Sequence, residues 1–578
     1  MGNYRSCLDP EEVVPIARIG TEKLQTGHWK MDRPRYREKV SPCRAVCPCG
    51  HDIPLALHRM LSLTPDEALS VFLEENPLPG VTGRVCYHPC QQACNRGELD
   101  EAVHIRDLER WAADHGQARP ASLTEAGQGQ KVAIVGSGPA GLSAAYHLRR
   151  MGHPVTIFEK ENRVGGMLTS AIPAYRLPDS AVQHDLERIL DIGVRIRTAT
   201  AVSPLDLDDI REEYAAVFLA TGAGLSKRLR TADHFETPSL SALDLLGQVR
   251  CGQAPELFGH VAVFGGGNVA VDASMTALRL KVRQVTMVCL ESRSDMPAHP
   301  DELEEALEEG VRLLDGWGLE RLSEKNQEQG LELRLIRCTR VLDESGAFCP
   351  RFDRSDVRTL SPDWVISAVG QERDLTLLGS EDPAESLKPE TLATSRSNIF
   401  TGGDLARGPG SVTQALADGK RAAAGIHETL CPGSRTPTLE QALLARGPSF
   451  SIQNLFVPRP EYDKQEVVKA EDLFFLYHDA QPAEQPPRLN PESRVSSFAE
   501  IVAGLKESSA LREAGRCFFC GLCTDCGWCG LFCPDVSLHR VQETGEKPYF
   551  DLDHEHCKGC GICAAICRRG VIHMEHGS

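Results

Sequence analysis

The sequence lacks any run of about 18 apolar residues, roughly the length that a helix needs to cross a membrane. Its first residues, MGNYRSCLDPEE, also lack the apolar stretch of a secretory signal. Positive charge is scarce relative to negative charge, and the formal net charge of the 578 residues is −18. Such an acidic chain is unsuited to nucleic acid or to an anionic membrane surface. These absences predict a cytoplasmic protein that binds neither nucleic acid nor membrane.

A second absence concerns the long middle of the chain, because residues 131–435 contain no C-x-x-C pair. Thiol–disulfide exchange is therefore not expected there. The 22 cysteines are concentrated outside this region, with seven in the first 94 residues and ten from Cys517 to Cys567. Without a secretory signal, this clustering indicates metal or redox chemistry rather than disulfide bonds. The scattered cysteines of the middle are predicted to be small buried side chains.

The stretch KVAIVGSGPAGLSAAYHLRRMGHPVTIFEK, residues 131–160, organises the chain. A buried strand leads into a G-x-G-x-x-G turn, a helix, and a second strand that ends in an acid. The first glycine permits the tight turn, the second lets the backbone approach a pyrophosphate, and the third lets helix and strand pack closely. The helix N-terminus offers free N–H groups to the phosphates, and the acid accepts hydrogen bonds from a ribose. The residues of this predicted dinucleotide site are Gly136, Gly138, Pro139, Ala140, Gly141 and Glu159.

A second glycine turn follows in HVAVFGGGNVAVDASMTALRL, again between a strand and a helix. The next strand, VRQVTMVCLES, carries an acid near its end. Two such turns in one chain predict two nucleotides, and a flavin with a nicotinamide is the natural pair. The predicted nicotinamide site consists of Gly265, Gly267, Asn268, Ala270 and Glu291.

The N-terminal cysteines stand in SPCRAVCPCGHDIP and in GRVCYHPCQQAC. Zinc sites usually show paired C-x2-C knuckles, which are absent here. Three cysteines at x3 spacing, with proline-flanked partners, fit iron–sulfur ligation better.

Two cysteine runs near the other end have the spacing of a bacterial two-cluster ferredoxin. HEHCKGCGICAAICRRG carries C-x2-C-x2-C-x3-C, and the x3 step before Pro534 fixes the same register in the earlier run. In such ferredoxins the fourth cysteine of each run ligates the other cluster; zinc is the alternative occupant. Cys517 and Cys520 have no predicted role. The two predicted ligand sets are Cys523, Cys526, Cys529 and Cys567, and Cys557, Cys560, Cys563 and Cys533.

Together these motifs resemble the glutamate synthase small-subunit family, which includes the N-terminal half of dihydropyrimidine dehydrogenase and the large subunit of the electron-bifurcating transhydrogenase. The resembling motifs are C-x3-C-P…D-I-P, G-R-V-C-x3-C-x3-C and the first glycine turn. The resemblance implies FAD and two [4Fe-4S] clusters held by an N-terminal helical domain. It gives one of these clusters the ligands Cys47, Cys86, Cys90 and Glu109.

The resemblance is less complete for the other N-terminal cluster. The C-x-x-C pair that precedes its remaining ligands in the family is missing from this chain. Cys43 and Cys94 match family ligands, and Cys7 and Cys49 are the candidates offered in place of the missing pair. Alternatively, these spare thiols are structural.

Three further segments resemble family loops that lie along the flavin: SAIPAYRLP after a glycine pair, the end of AAVFLATGA, and NIFTGGDLARGPGSVTQ. In the last of these, the resemblance assigns the acid to the ribityl chain. The helix that begins there would point its N-terminus at the flavin and favour negative charge on it. The contact residues implied are Gly165, Gly166, Arg176, Thr221, Gly222, Gly403, Asp404, Val412 and Thr413.

The predicted fold is multidomain α/β, with two Rossmann-like domains of which the nicotinamide domain is inserted into the FAD domain. A helical iron–sulfur domain precedes them, and an α+β ferredoxin-like domain follows. The tract HDAQPAEQPPRLNPESR has the composition of an extended linker. The predicted boundaries are 1–125 for the helical domain, 126–240 and 369–435 for the FAD domain, 241–368 for the nicotinamide domain, 436–512 for a linker and 513–578 for the ferredoxin domain.

These parts predict an oxidoreductase that exchanges a hydride between a nicotinamide and FAD and moves single electrons through its clusters. The partner would be ferredoxin or a separate catalytic subunit in a hetero-oligomer, of the glutamate synthase, 2-oxoacid oxidoreductase or reductase type. About 80 residues separate the flavin core from the terminal cysteines, too few for a (β/α)8 barrel of roughly 250 residues that would reduce pyrimidines. One alternative is a component of a bifurcating transhydrogenase, and another is a non-enzymatic scaffold that carries clusters.

The acid of the second nucleotide site predicts NADH rather than NADPH. NADP-binding relatives end the corresponding strand in two arginines, where this chain has Leu290 and Glu291. A carboxylate there accepts hydrogen bonds from a free 2′-hydroxyl and repels a phosphate. Arg293, two residues further on, is a cation that could approach a 2′-phosphate.

Overall fold

The computed structural model describes residues 27, 31–62, 64–123, 129–234, 236–324, 330–379, 387–432, 442–457, 462–541 and 549–576. Cys7, one of the predicted cluster ligands, lies outside the described residues. Within these ranges no helix is both long and apolar enough to span a membrane.

Short helices form the N-terminal part of the molecule, and several begin at a proline. Proline suits the first turn because its missing N–H has no intrahelical partner there. Thr64 caps the helix Pro65–Leu73 by accepting the N–H of Glu67. Leu57, Phe72 and their neighbours fill the core between the helices. The helices are Pro42–Val46, Ile53–Ser62, Pro65–Leu73, Pro79–Val85, Pro89–Gln92 and Ile105–His115, with a 3-10 turn at Asn95–Glu98.

A five-stranded parallel sheet forms the first nucleotide-binding fold. Its strands are short and wholly apolar at the centre, as is usual for a sheet covered by helices on both faces. In spatial order they are Ile399–Thr401, Ala216–Leu219, Val132–Val135, Val155–Phe158 and Arg195–Arg197. The covering helices are Pro139–Arg150, Met167–Ser170, Asp179–Asp191, Pro204–Glu213, Asp404–Arg407 and Val412–Leu430.

A second five-stranded parallel sheet is inserted between strands Ala216–Leu219 and Ile399–Thr401 of the first. The insertion confirms the predicted arrangement of a nicotinamide domain within a flavin domain. In spatial order its strands are Arg312–Asp315, Gln284–Cys289, His260–Phe264, Trp364–Ser367 and Leu240–Ser241. Its helices are Ala242–Arg250, Asn268–Arg279 and Pro300–Glu308, with 3-10 turns at Arg293–Asp295 and Thr376–Leu378.

Two smaller sheets accompany the inserted domain. An antiparallel three-stranded sheet extends from it, formed by Trp317–Glu324, Leu331–Leu342 and Phe348–Leu360. The two chain crossings between the nucleotide folds pair as strands Leu225–Ser226 and Gln371–Glu372. This pairing fixes the two folds at the point where the chain passes between them.

The C-terminal part is built from short elements around the cysteine runs. Its antiparallel hairpin pairs Leu538–Val541 with Tyr549–Leu552. The helices of residues 442–576 are Ile452–Phe456, Pro491–Val495, Glu507–Gly515, Trp528–Leu531 and Ile562–Ala565, with 3-10 turns at Ala470–Asp472 and Phe475–Tyr477.

The C-terminal part is joined to the N-terminal part by two strand pairings. Asp32–Tyr36 pairs antiparallel with Ile572–His576, and Glu38–Val40 pairs parallel with Tyr462–Val467. Gly521 has a φ of +75°, and a Cβ there would lie 2.2 Å from the carbonyl oxygen of Lys39. Because only glycine fits this approach, the two chain segments are in close backbone contact.

The described residues of the predicted linker, 436–512, are packed against the rest of the molecule. The tract around Gln481 is extended, as its composition predicts, but its backbone N–H donates to the Asp100 carboxylate at 2.9 Å. Further along, the Ile501 N–H donates to the carbonyl oxygen of Tyr175 at 2.9 Å. Phe450 and Ile452 lie in the core of the flavin domain. Composition predicts an extended chain but does not show which groups hold it.

Candidate functional site

The first glycine turn has the geometry that a bound pyrophosphate requires. Gly136 has a φ of +104°, and an added Cβ would lie 2.4 Å from the carbonyl oxygen of Ala220. A Cβ on Gly141 would lie 2.0 Å from the carbonyl oxygen of Gly136, so this position also needs glycine. An added Cβ on Gly138 meets no atom within 4 Å. The open side of Gly138 lies at the N-terminus of the helix Pro139–Arg150, where free N–H groups can receive a phosphate.

Glu159 lies beside this turn and is buried. Its Oε2 accepts hydrogen bonds from the N–H of Ser137 at 2.8 Å and from the Ser137 hydroxyl at 2.5 Å. Its Oε1 accepts the N–H of Glu161 at 2.9 Å. The carboxylate is therefore held at the end of its strand, in the place that the ribose-binding role demands.

The glycines that the resemblance assigned to flavin loops meet around the same turn. The Gly165 N–H donates to the Ser137 hydroxyl at 3.1 Å. A Cβ on Gly166, which has a φ of +56°, would lie 3.0 Å from Cα of Gly138. The carbonyl oxygen of Ala220 faces Gly136, and Thr221 and Gly222 follow it directly. Gly222 has a φ of +75°.

The returning flavin segment also reaches the turn. A Cβ on Gly403, with a φ of +63°, would lie 3.0 Å from Cβ of Ala140. The next residue, Asp404, accepts the N–H of Gly410 at 3.1 Å. Burial raises the pKa of the Asp404 carboxyl to about 6. The predicted ribityl acid thus lies beside the turn on a segment that has returned from the inserted domain.

The helix Val412–Leu430 packs directly on the helix of the first glycine turn. A Cβ on Gly419 would lie 2.1 Å from the carbonyl oxygen of Ala140, so the two helices approach closely. Ser411 caps the N-terminus by accepting the N–H of Gln414 at 3.2 Å. Thr413 is buried in this first turn. This packing brings the helix N-terminus, Val412 included, to the same site.

The second glycine turn repeats the geometry of the first. Gly265 has a φ of +145°, and a Cβ there would lie 2.4 Å from the carbonyl oxygen of Ala368. A Cβ on Gly267 meets no atom within 4 Å, while Ala270 is fully buried against the strand. Asn268 opens the helix and accepts the N–H of His299 at 3.1 Å through Oδ1. The chain therefore has two open glycines at helix N-termini, where free N–H groups can receive a phosphate.

Glu291 lies against the second turn. Its Oε2 is 2.7 Å from the place of a Cβ on Gly266. Burial, with smaller contributions from the negative charges of Glu291 and Asp315, raises the pKa of the Cys289 thiol to about 12. Arg293 is exposed, and its guanidinium pairs with Glu304 at 2.8 Å. Glu291 and Asp315 make the surroundings of the predicted ribose site acidic. The cation predicted near it, Arg293, already pairs with the Glu304 carboxylate.

Arg176, predicted as a flavin contact, occupies a different place. Its guanidinium binds both carboxylate oxygens of Asp272 at 2.9 and 3.0 Å and also pairs with Glu302. Asp272 lies on the helix of the second turn, and Glu302 also accepts the amide of Asn268. Arg176 therefore ties the flavin loop to the nicotinamide domain through buried ion pairs.

The predicted ligands of the first N-terminal cluster lie on four helices, Cys47 and Cys86 at helix ends and Cys90 and Glu109 within helices. A Cβ on Gly83 would lie 2.6 Å from the backbone nitrogen of Arg110, so the helices Pro79–Val85 and Ile105–His115 touch. This contact places Cys86, at the end of one helix, near Glu109 on the other. Glu109 Oε1 accepts the Thr82 hydroxyl at 2.6 Å, and burial raises the pKa of the Glu109 carboxyl to about 8.

The thiols of this group are surrounded by low-dielectric packing and by donors. Burial is the largest influence that raises the pKa of Cys47, Cys86 and Cys90, and each is close enough to Glu109 to feel its charge. The N–H of His88 donates to the Cys86 sulfur at 3.3 Å. Burial of a metal-free thiolate is unfavourable, whereas iron binds that form. These residues therefore fit a cluster with three thiolates and one carboxylate.

The structure separates the cysteines that were grouped for the other N-terminal cluster. Cys49 points toward the flavin helix, where its thiol donates to the carbonyl oxygen of Thr413 at 3.7 Å. Cys43 and Cys94 instead line one cavity together with Cys517 and Cys520. The pair without a predicted role therefore lies beside two predicted ligands. The C-x2-C spacing of Cys517 and Cys520 indicates a ligand pair. Spacing alone does not show that this pair faces Cys43 and Cys94.

The ferredoxin cysteines form the two sets that the crossed pattern predicts. The charges of Cys567, Cys523 and Cys526 all raise the pKa of the Cys529 thiol, after the larger effect of burial. The other set lines a common space with Pro34 and consists of Cys533, Cys557, Cys560 and Cys563. The fourth cysteine of each run therefore lies with the first three of the other run.

A buried ion pair between Lys420 and Glu75 is a site feature that sequence reasoning missed. It lies between the helical domain and the flavin helix, with Nζ 2.7 Å from Oε2. No local motif marks either residue, because the pair is formed by residues far apart in the chain.

Two protein-family models match the chain. Residues 130–419 match the pyridine nucleotide-disulphide oxidoreductase model, and residues 36–120 match the model of dihydropyrimidine dehydrogenase domain II, 4Fe-4S cluster. The chain is 35% identical over 524 residues to the NADP(+)-dependent formate dehydrogenase subunit beta of Moorella thermoacetica, covering 83% of this chain and 70% of that protein.

A second relative is named for NAD rather than for NADP. The NAD-dependent dihydropyrimidine dehydrogenase subunit PreT of Escherichia coli (strain K12) is 31% identical over 397 residues, which cover 68% of this chain and 91% of PreT. Among solved structures, FprA from Mycobacterium tuberculosis in complex with NADPH matches 52% of this chain and 85% of its own, with 18% identity and a TM-score of 0.45.

Proposed function

Because the chain belongs to the pyridine nucleotide-disulphide oxidoreductase family, we propose that it is an NADH-dependent electron-transfer subunit that carries FAD and [4Fe-4S] clusters. One observation carries this proposal most directly. Two glycine turns, each with an open second glycine at a helix N-terminus, lie in one chain with grouped thiols on both sides of the flavin fold. FAD would supply the exchange between hydride and single electrons, which the clusters could then carry.

The protein's own residues bind and orient these groups. Gly138 and Gly267 leave room for pyrophosphates, and the helix N-termini behind them supply N–H donors. Arg176 holds the flavin loop to the helix of the nicotinamide turn through Asp272. Hydride transfer depends on the stacking of two rings, so the main task of these residues is to fix the relative position of the two domains.

Reduction of a disulfide is not supported, although the family name includes it. The four cysteines within residues 130–419 are far apart in sequence, and none forms a C-x-x-C pair. Two of them, Cys251 and Cys349, are exposed, and the other two, Cys289 and Cys338, are buried near one another on strands of the inserted domain, not in the flavin domain. A redox pair beside the flavin would need two neighbouring thiols.

The preference for NADH rests on the acids at the second turn. At an effective dielectric constant of about 20, a phosphate charge 4 Å from the Glu291 carboxylate would be repelled by roughly 4 kcal/mol before screening. Arg293 is held by Glu304, which reduces its ability to neutralise a 2′-phosphate. The named relatives use either cofactor, NADP for the formate dehydrogenase subunit and NAD for PreT. The local charge is therefore the argument for NADH.

The electron exit is proposed at the ferredoxin part. Cys560 is exposed, so the cluster of its set would lie near the surface. Phe532, Val536 and Ile562 beside these cysteines are exposed apolar side chains. Apolar surface around a redox centre suits a protein partner. Both relatives named above are subunits, which supports a separate catalytic subunit or ferredoxin as that partner.

The test is anaerobic purification from the native host, followed by analysis of cofactors and bound proteins. We expect about one FAD and about 16 iron atoms per chain, from four cubane clusters. NADH should reduce a low-potential dye, and a catalytic subunit should co-purify. FAD-loaded protein that reduces no dye with NADH would contradict the proposed activity. A second flavoprotein as the co-purifying partner would favour the bifurcating transhydrogenase instead.

A further inference from the structure

Four cysteines from opposite ends of the chain line one buried cavity. Cys43 lies in the first turn of the helix Pro42–Val46, Cys94 is the last cysteine of the helical domain, and Cys517 and Cys520 precede the ferredoxin run. The remaining walls of this cavity are mainly apolar and include Ile53. All four thiols are free of disulfide bonds.

Hydrogen-bond donors surround the sulfur atoms. The N–H of Phe519 donates to the Cys517 sulfur at 3.3 Å. The side-chain amide of Asn95 donates to the Cys520 sulfur at 3.6 Å. Such N–H···S contacts and nearby positive charge are the means by which proteins stabilise a thiolate-bound cluster.

Positive charge is also present at this cavity, on residues from both parts of the chain. The Arg96 guanidinium lies 5.0 Å from the centre of the Phe518 ring, which lines the cavity. The Arg569 guanidinium donates to the carbonyl oxygen of Phe518 at 2.6 Å. Arg96 already pairs with the Asp100 carboxylate, so Arg569 is the main cation that can offset the negative charge of four buried thiolates.

The spacing of the sulfur atoms excludes a single zinc ion in this arrangement. A zinc ion with four sulfurs at about 2.3 Å would place those sulfurs roughly 3.8 Å apart. Among the described residues no three cysteine sulfurs lie within 4.8 Å of one another. A group that takes its four sulfur ligands at a wider spacing is therefore needed here.

We propose that Cys43, Cys94, Cys517 and Cys520 ligate a [4Fe-4S] cluster shared between the N-terminal and C-terminal parts. The N-terminal part lacks the C-x-x-C pair that the resemblance requires, and Cys517-x-x-Cys520 has that spacing. The C-x-x-C pair thus follows the other two ligands in this sequence instead of preceding them, and all four thiols line the same cavity. Cys49, whose thiol faces the Thr413 carbonyl, is not a ligand of this cluster.

The shared cluster would connect the other predicted clusters. Cys43 lies one helical turn before Cys47 of the first cluster. Cys520 lies three residues before Cys523 of the ferredoxin part, at most about 11 Å along an extended chain. Ligands of the shared cluster are therefore close in sequence to ligands of the first N-terminal cluster and of the ferredoxin part. The clusters would form a continuous electron path from the flavin fold to the proposed exit.

The test compares iron and acid-labile sulfide in full-length, anaerobically purified variants. The double variant Cys517→Ser/Cys520→Ser should lose about four iron atoms per chain, and Cys43→Ser/Cys94→Ser should lose the same four. The quadruple variant should lose no more than either double variant. The control Cys289→Ser/Cys338→Ser, which removes two buried thiols of the nicotinamide region, should keep all its iron.

Several outcomes would overturn the proposal. These are full iron in the first double variant, an eight-iron loss in the quadruple variant, or one zinc per wild-type chain. Should the double variants fail to fold, Cys520→Asp keeps three thiols and supplies an oxygen ligand. It should retain FAD and change the EPR signal of one reduced cluster, and an unchanged spectrum would refute the assignment. Iron content and EPR do not depend on NADH activity, so this result is independent of the proposed function.

Discussion

The Lys420 ammonium lies 2.7 Å from the Glu75 carboxylate, and both side chains are only 1% exposed. Lys420 also donates to the carbonyl oxygens of Cys49 and Phe450, so all three of its protons have acceptors. Glu75 accepts the N–H of Ile452 at 3.0 Å. One ion pair thus joins the helical domain, the flavin helix and the segment that follows the flavin fold.

We expect Lys420→Met to destabilise the protein strongly, because Glu75 would remain buried without its partner. Loss of one member of a buried pair costs about 3–5 kcal/mol. The measurement is the apparent Tm of the holoprotein. Lys160→Met, at an exposed pair with Glu161, is the control. The double variant Lys420→Met/Glu75→Gln should recover part of the loss, and a Tm for Lys420→Met equal to that of the control would contradict the assigned role.

The two open glycines allow each nucleotide site to be blocked separately. Gly138→Val should fold, because the φ and ψ angles of Gly138 are ones that any residue can adopt and an added Cβ meets no protein atom within 4 Å. The variant should nevertheless lose FAD. Gly267→Val should keep FAD and lose nicotinamide binding for the same reason. Flavin absorbance and NADH titration distinguish the two. If Gly138→Val retained full FAD, the opening would not be the pyrophosphate site.

The cofactor preference is tested by reversing the charge at the second turn. Leu290→Arg/Glu291→Arg should shift the ratio of kcat/KM for NADPH over NADH by tenfold or more, equivalent to about 1.4 kcal/mol. Wild-type protein should favour NADH. Glu304→Gln is an informative companion, because it frees Arg293 without adding a charge and should produce a smaller shift in the same direction. A wild type that prefers NADPH tenfold would show that the acids do not select the cofactor.

The first N-terminal cluster is tested at its carboxylate ligand. Glu109→Gln should keep the cluster, because the amide oxygen can ligate and still accept the Asn76 amide that now bonds Glu109 at 3.1 Å. Glu109→Leu and Cys86→Ser should each lose about four iron atoms while the ferredoxin signals remain. Iron analysis and EPR give the answer. Glu109→Leu with full iron content would remove Glu109 from the ligand set.

A chain ending at Arg435 should be unstable rather than an independent flavin core. It would lack Phe450 and Ile452 of the flavin-domain core and the carbonyl that Lys420 binds. We expect low FAD content and a lowered apparent Tm, which a chain ending at Gly504 would largely avoid. A stable, FAD-replete truncation at Arg435 would show that the packed segment contributes little.

Local patterns predicted the parts of the site that are formed by neighbouring residues. The two glycine turns follow from spacing between strand and helix, and the crossed ferredoxin sets follow from the x3 step before Pro534. The inserted domain follows from the order of these motifs. In each case the chemistry is carried by a short segment whose geometry the sequence determines.

Contacts between distant segments could not be predicted in the same way. Nothing near Cys517 indicates that it faces Cys43, because the cavity is formed only when the two ends of the chain meet. Arg176 matches a family loop, yet its guanidinium is taken by Asp272 of the inserted domain. Composition identified the tract at Gln481 as extended but gave no sign of its anchor on Asp100.

The pairing of Asp32–Tyr36 with Ile572–His576 has a consequence for biogenesis. Residues such as Arg35 and Glu575, in contact across this sheet, are 540 positions apart, so the contact order is very high here. Ribosomal synthesis proceeds from the N-terminus, and a nascent chain can complete its nucleotide folds long before the second strand emerges. Until then, Cys43 and Cys94 of the helical part lack the contact with Cys517 and Cys520. The shared cavity can therefore be completed only after the second strand has been synthesised.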